Sequence, residues 1–485
     1  MSQSLANFDQ TPAVSVIVSQ RLHRAGLAAL VSVLIYFYWS TGGTIDLSQF
    51  LALGTIILAS LPALRWARTR CTWFPAFEIS MLTYIAFYAV PLFKGQQELV
   101  NFGASDKNQA SLLVLVYMIS TNFGFNSISR VNRAPRWSVE SLLPKSSIRW
   151  VPIGLFLNVT YAYISIYLDV IPPNLNGTLR ALFFGIGIMS TFVLARLWGQ
   201  EQLRREQVIF FVINMIIYLL LTFSTLYLIG GISTMALALI AYASAKRRIP
   251  FFSIGLFLPI VALLHMGKPE MRKIYWDPLT NETRGAPVQS LTDLPAYYSE
   301  WIDYSLAALK QQTTRSEEAP SSIFERASLI QMICLSVAEV PEKKPYLYGE
   351  SYVDIPALFI PRLFWPDKPS SLLANIRLAV YFGLVPEDDT FSVSIAFGPL
   401  AEAYTNFGYI GVGILGLIMG IGYKRVSLLS DGLPQFSALG IFMILLTAWS
   451  FQVEQVMATW LSSLFQASVI CIGLPLAYRK FTGTG

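Results

Sequence analysis

The stretch GPLAEAYTNFGYIG (398–411) decides how the chain is read, because it passes from a carboxylate and an amide directly into apolar sequence. The residues from 407 to 423 are apolar and long enough for a helix in lipid. The preceding stretch, YGESYVDIPALFIPRLFWPDKP (348–369), gathers Glu350, Asp354, Arg362, Asp367 and Lys368, with Arg377 and Glu402 not far along the chain. Only 13% of the chain is charged and 54% is hydrophobic, so this is a concentration of charge beside a membrane segment. Charge is expensive there, and it marks a site for an anionic ligand.

Working outward, 485 residues with 32 Phe, 23 Tyr and 11 Trp and a mean hydropathy of +0.52 describe a multi-pass membrane protein. Apolar runs predict spans near 25–41, 47–64, 73–93, 109–128, 150–168, 181–195, 207–227, 230–245, 250–266, 407–423, 434–451 and 460–478. The loops between them alternate in charge. Of the 35 Lys and Arg residues, 20 lie at the termini and in every second gap, 3 lie in the opposite short loops, and 12 lie in one long loop. The positive-inside rule then puts both termini in the cytoplasm and the long loop outside. The expected fold is an all-α polytopic bundle of about 12 transmembrane helices, with one large outer loop holding short helices. It divides into an N-terminal bundle (1–266), an outer loop or cap (267–393) and a C-terminal set of helices (394–485). The first apolar segment follows Arg21 and Arg24 as a signal peptide would, but the repeated spans behind it favour a retained helix.

The net charge of +6 is explained by basic loops facing anionic headgroups, so nucleic acid is not expected as a partner. Cys71, Cys334 and Cys471 fall in three different settings and form no disulfide framework. Two histidines, His23 and His265, are too few for a histidine-rich metal site. Glycines 230 and 231 sit at a span end and do not form a phosphate loop.

The outer loop holds 12 basic and 17 acidic residues, so it is no general anion sponge. TDLPAYYSEWIDYSLAALKQQ (292–312) and SSIFERASLIQMICLSVAEV (321–340) have helical apolar spacing, and Ser321 or Ser322 before Glu325 marks a helix start. VDIPALFIPRLFWP (353–366) is apolar but broken by three prolines. It suits a segment lying in the interface or dipping into the bundle rather than a span.

A cation kept near lipid needs an anion, and each charge-assisted hydrogen bond contributes roughly 1.5–3 kcal/mol. Arg326, Arg362, Lys368 and Arg377, with Arg272 next, are the candidates to hold a pyrophosphate and stabilise it as a leaving group. For each, a salt bridge to Glu350, Asp354 or Asp367 is the competing reading. Arg362, Glu402 and Arg326 are the catalytic candidates. Glu402 is placed to accept a proton from an attacking hydroxyl, to orient Arg362 or to cap the helix. Tyr348, Tyr352, Trp365 and Tyr404 are candidates to stack on sugar rings, with interfacial packing as the alternative. Glu387, Asp388 and Asp389 read as a solvated acidic run before a cation site.

The strings YGESY (348–352), PRLFWPDKP (361–369) and GPLAEAYTNFGYIG (398–411) resemble the outer-loop and following-helix pattern of O-antigen and oligosaccharide repeat-unit polymerases of the Wzy type. The likeness covers roughly 345–411; elsewhere only the topology is shared. It implies a GT-C-like glycosyltransferase of the bacterial inner membrane, with its site facing the periplasm. Such an enzyme moves a growing glycan from undecaprenyl pyrophosphate to a sugar hydroxyl of the next lipid-linked unit. By that resemblance Arg362 and Lys368 hold the pyrophosphate; Arg326, Arg377 and Glu402 are added from position and chemistry. Implied partners are the undecaprenyl-pyrophosphate-linked oligosaccharide and membrane lipid, with a chain-length regulator and a flippase as further candidates. No nucleotide sugar is available outside, which favours a lipid-linked donor. The first outer loop, TGGTID (41–46), is too short and acid-poor for a metal motif of the oligosaccharyltransferase kind, so a cofactor-free, metal-independent mechanism is expected. An O-antigen ligase is the nearest rival. A flippase or other transporter calls for charges inside spans and repeated halves, which the sequence lacks. A non-catalytic assembly protein would use the loop only for docking.

Overall fold

The computed structural model describes residues 16–69, 73–93, 96–128, 150–168, 170–246, 250–275, 291–314, 328–360, 364–365, 367–385, 395–431, 433 and 438–473. Every regular element among them is helical. The principal ones, in chain order, are α1 (Val16–Ser40), α2 (Leu47–Arg68), α3 (Ala76–Phe93), α4 (Ala104–Ser127), α5 (Val151–Tyr167), α6 (Pro173–Gly199), α7 (Arg205–Ser224) and α8 (Leu228–Lys246). There follow α9 (Phe251–Tyr275), α10 (Leu294–Thr314), α11 (Ile330–Glu339), α12 (Ile355–Leu358), α13 (Leu373–Tyr381), α14 (Gly398–Ser430), α15 (Ala438–Trp449) and α16 (Met457–Ser468).

Eight of these, α1 to α4, α6, α7, α9 and α14, are long and apolar enough to cross a membrane. Helices stand at the other four expected places too, but α5 has 17 residues and α15 and α16 have 12 each, and the apolar run of α8 is Gly230–Ala243. α1 is nearly unburied and presents Ile17, Val31, Ile35 and Trp39 outward, and α9 presents Phe251 and Phe252. Helices this apolar on their outer faces belong in lipid.

The best-packed pair is α4 with α14. Gly416 and Gly420, four apart on α14, meet α4 so closely that a Cβ on Gly420 would run into the Thr121 carbonyl and lie 2.8 Å from the Phe125 nitrogen. Gly124 on α4 returns the contact, since a Cβ there would lie 3.2 Å from the Ile421 nitrogen. Small residues spaced by four let two backbones touch where no hydrophobic effect drives helices together. Phe77 of α3 closes the same layer, stacked on Phe125 at 4.0 Å.

Two irregularities position the site. In α3 a π-helical turn, Ile85–Ala89, replaces the regular repeat, and the Phe87 carbonyl accepts a hydrogen bond from the Leu329 N–H at 3.0 Å. That bond docks the start of α11, which is buried against α4 and α14. The 321–340 segment, read from sequence as one helix of an outer cap, thus contributes a helix to the bundle core; its first part, 321–327, lies outside the described residues. In α14, Gly408 breaks the helix with φ +62 and ψ −150, a conformation open essentially to glycine alone.

α10 forms a separate apolar cluster with α7, α8 and α9. Trp301 is fully buried and donates its indole N–H to the Leu264 carbonyl at 2.8 Å, while the Tyr297 hydroxyl donates to the Ser224 carbonyl at 3.1 Å. The expected helix at 292–312 is therefore present, and it holds the ends of α7 and α9 together.

Candidate functional site

The kink at Gly408 releases backbone carbonyls near the start of α14, and the preceding loop takes them up. The Leu347 N–H donates to the Thr405 carbonyl at 3.0 Å and the Tyr348 N–H to the Asn406 carbonyl at 3.2 Å. Gly349, at φ +99, turns the chain so that its own N–H reaches the Asn406 Oδ1 at 2.9 Å. Gly398, at φ +72, starts α14 where a Cβ would lie 2.9 Å from the Tyr88 hydroxyl and 3.0 Å from the Val453 carbonyl. The glycines of GPLAEAYTNFG are thus required by the backbone at both ends.

Between them lies a buried polar clamp. Glu402, Asn406 and Ser351 are each fully buried. The Ser351 hydroxyl donates to Glu402 Oε1 at 2.9 Å, and the Met457 N–H donates to Glu402 Oε2 at 2.7 Å. Asn406 Nδ2 donates to Ser351 Oγ and to the Glu402 carbonyl, both at 2.8 Å. A buried carboxylate is tolerable only when so bonded. Glu402 also sits at the N-terminus of α16, where the helix dipole favours a negative group. One side chain thereby ties together α14, the 347–352 loop and α16.

Of the candidate cations, two fall in this neighbourhood. Arg377 on α13 pairs with Asp354 at 2.7 Å and donates to the Glu350 carbonyl at 3.1 Å. Lys368 donates to the Leu358 and Ile360 carbonyls at 3.0 and 2.7 Å, closing the end of α12. Arg272 does not join them. It donates to the Leu226 carbonyl at 3.2 Å and lies over the Tyr227 ring, beside the α7–α10 cluster. Arg326, Arg362 and the acidic run 387–389 lie outside the described residues.

The aromatic candidates separate in the same way. Tyr348 and Trp365 are exposed. Tyr404 is buried, donates its hydroxyl to the Val340 carbonyl at 3.2 Å and packs between Tyr346 and Tyr409, which leaves it no face for a sugar. Tyr352 stacks on Phe407; burial first, and the Glu402 carboxylate second, push its hydroxyl well above the usual tyrosine range, so it stays protonated. Glu454, whose carbonyl accepts the Gly398 N–H at 3.0 Å, has its carboxyl pushed up by burial.

Beside the clamp opens a cavity of about 640 Å³ between α14, α15 and α16. Tyr352, Ile355, Ala403 and Met457 form one end, next to the clamp, and Tyr423 and Val426 the other. The charge count along the sequence gave no sign of it, because its walls read simply as membrane helix. The one available signal was the glycine spacing of α14. Among the described residues, no three His, Cys, Asp or Glu side chains converge as metal ligands do.

These features define a multi-pass helical membrane protein with a polar clamp at one end of a long apolar trough. Residues 157–453 match the family model described as a domain of unknown function, DUF8712, and the chain belongs to that family. The match includes Ser351, Glu402 and Asn406 and ends four residues short of Met457. No curated protein and no solved structure is significantly similar to the chain.

Proposed function

We propose that the protein is a polyprenyl-pyrophosphate-dependent glycosyltransferase that polymerises lipid-linked oligosaccharide units, with its site on the outer face of the bacterial inner membrane. One observation carries this reading: the charged 350–377 segment is fastened, through Ser351 and Glu402, to the mouth of an apolar trough. A substrate matched to such a site is an anion joined to a long hydrocarbon, with a polar group beyond the charge. The alternating loop charge supports the outward orientation.

In the proposed reaction, a sugar hydroxyl of the incoming unit attacks the anomeric carbon of the growing chain. The new glycosidic C–O bond forms as the bond to the pyrophosphate oxygen breaks. Undecaprenyl pyrophosphate leaves with the electron pair, and the hydroxyl proton passes to a base. Arg362, Lys368 and Arg326 neutralise the leaving group, and Arg377, already paired with Asp354, positions the segment that carries Lys368. Glu402 is kept as a positioning residue, because both its oxygens already accept protein donors. Tyr352, Tyr348 and Trp365 are the aromatic faces for the glycan.

The test is glycan chain length in a polymerase-deletion host with a compatible repeat unit. Wild-type protein should restore a ladder, and Arg362→Ala at equal membrane level should leave single units on the surface. No ladder from the wild type would overturn the polymerase reading. Loss of single units from the surface would point to transport instead.

A further inference from the structure

We propose that the trough between α14, α15 and α16 seats the isoprenoid chain of a polyprenyl phosphate lipid, which enters sideways from the bilayer and leaves its phosphate at the Tyr352 end. This rests on the reading above that the protein handles a lipid-linked glycan, and it adds where the lipid sits and how it gets there.

The wall from Gly411 to Val426 extends over four turns, roughly 23 Å at about 1.5 Å per residue. That is most of a hydrocarbon core about 30 Å thick. Nearly every lining group is apolar, so the trough offers a polar solute few partners in exchange for its water. Ile410, Ile414 and Ile418 both line the trough and face outward, at 74%, 53% and 60% exposure, so its side stands open where lipid lies. The other face of the same helix is closed by Gly416 and Gly420 against α4.

Gly422 supplies the independent observation. It lines the trough, yet a Cβ built there meets nothing within 4 Å. Packing against protein does not explain a glycine in that position; room in the trough does. The mouth explains the headgroup. Arg377 and Lys368 are both anchored to the 350–360 backbone, which also supplies Tyr352 and Ile355 to the trough. A single chain ending in a phosphate matches an apolar trough whose Tyr352 end adjoins the segment bonded by Lys368 and by Arg377, the latter paired with Asp354.

The experiment uses the full chain in nanodiscs with a trace of polyprenyl phosphate that has a diazirine in its isoprenoid tail, and no glycan. Crosslinks should map to 410–426 and to α15 and α16. Gly422→Trp should lower them by roughly tenfold or more, the loss expected when even two buried methylenes are displaced. Gly422→Ala should not. Should Gly422→Trp fail to reach the membrane, Ile418→Trp blocks the trough from its exposed rim with the same readout. Labelling spread evenly over the outer faces of α1 and α9 would overturn the proposal. So would equal labelling by a diazirine phosphatidylglycerol that polyprenyl phosphate fails to displace. Because no glycan is present, trough labelling without any ladder in cells would sink the polymerase reading alone. A full ladder from a Gly422→Trp protein would sink this one alone.

Discussion

Glu402 shows how one buried side chain ties three elements together. Its two carboxylate oxygens accept from Ser351 on the loop and from the first N–H of α16, so removing it leaves two buried donors with nothing to bond. Each such orphan costs about 1–3 kcal/mol. Glu402→Ala should therefore lower stability by about 2–6 kcal/mol, and Glu402→Gln, which keeps one acceptor, by less. Unfolding midpoints in detergent, read by tryptophan fluorescence, measure both. A neutral Glu402→Ala would show that the clamp holds nothing together. The sequence made Glu402 conspicuous, since it is a carboxylate at the edge of an apolar helix. It gave no means of separating a base from a clamp, because that depends on Ser351 and Met457, each more than fifty residues away. Arg377 was visible for the same reason, and Asp354 was among the salt-bridge partners the sequence offered for it; the partner of Tyr404, the Val340 carbonyl, was out of view.

The interruptions in the helices matter as much as the helices. α14 uses glycine in three distinct ways: Gly408 for a backbone angle, Gly416 and Gly420 for contact with α4, and Gly422 for open space. Gly420→Val should force α14 away from α4 and destabilise by about 1–3 kcal/mol through overpacking, whereas Gly422→Val should leave the unfolding midpoint nearly unchanged. Equal effects at the two positions would contradict the packing described here. The long helices were legible from apolar run length, and α10 and α11 from helical apolar spacing, whereas the short α12 and α13 were not. Nor were the π-turn in α3 and the bend at Gly408, because each depends on a hydrogen bond to a distant segment, Leu329 in one case and Leu347 to Gly349 in the other.

At the scale of the molecule, the described residues form a large apolar cluster around α4 and α14, a smaller one around Trp301 and a third between α5 and α7, with α7 contributing to all three. The clamp and trough belong to the large one, and Arg272 to the one around Trp301. The distribution of charge adds a second, independent expectation. Cysteines introduced at 133 and 136, in a basic gap, should be shielded from a membrane-impermeant maleimide in intact cells, and cysteines at 317 and 388, in the long loop, should react. The reverse pattern would invert the molecule and move the site to the cytoplasmic face.

The open flank of the trough, where Ile410, Ile414 and Ile418 face outward, also fixes the units in which a lipid-borne ligand would be counted. Anything entering by that flank arrives by two-dimensional diffusion, so its effective concentration is a mole fraction of the surrounding lipid. Adding detergent or bulk phospholipid at constant ligand and protein would thin that surface pool and slow binding. Changing the volume of the aqueous phase would alter nothing.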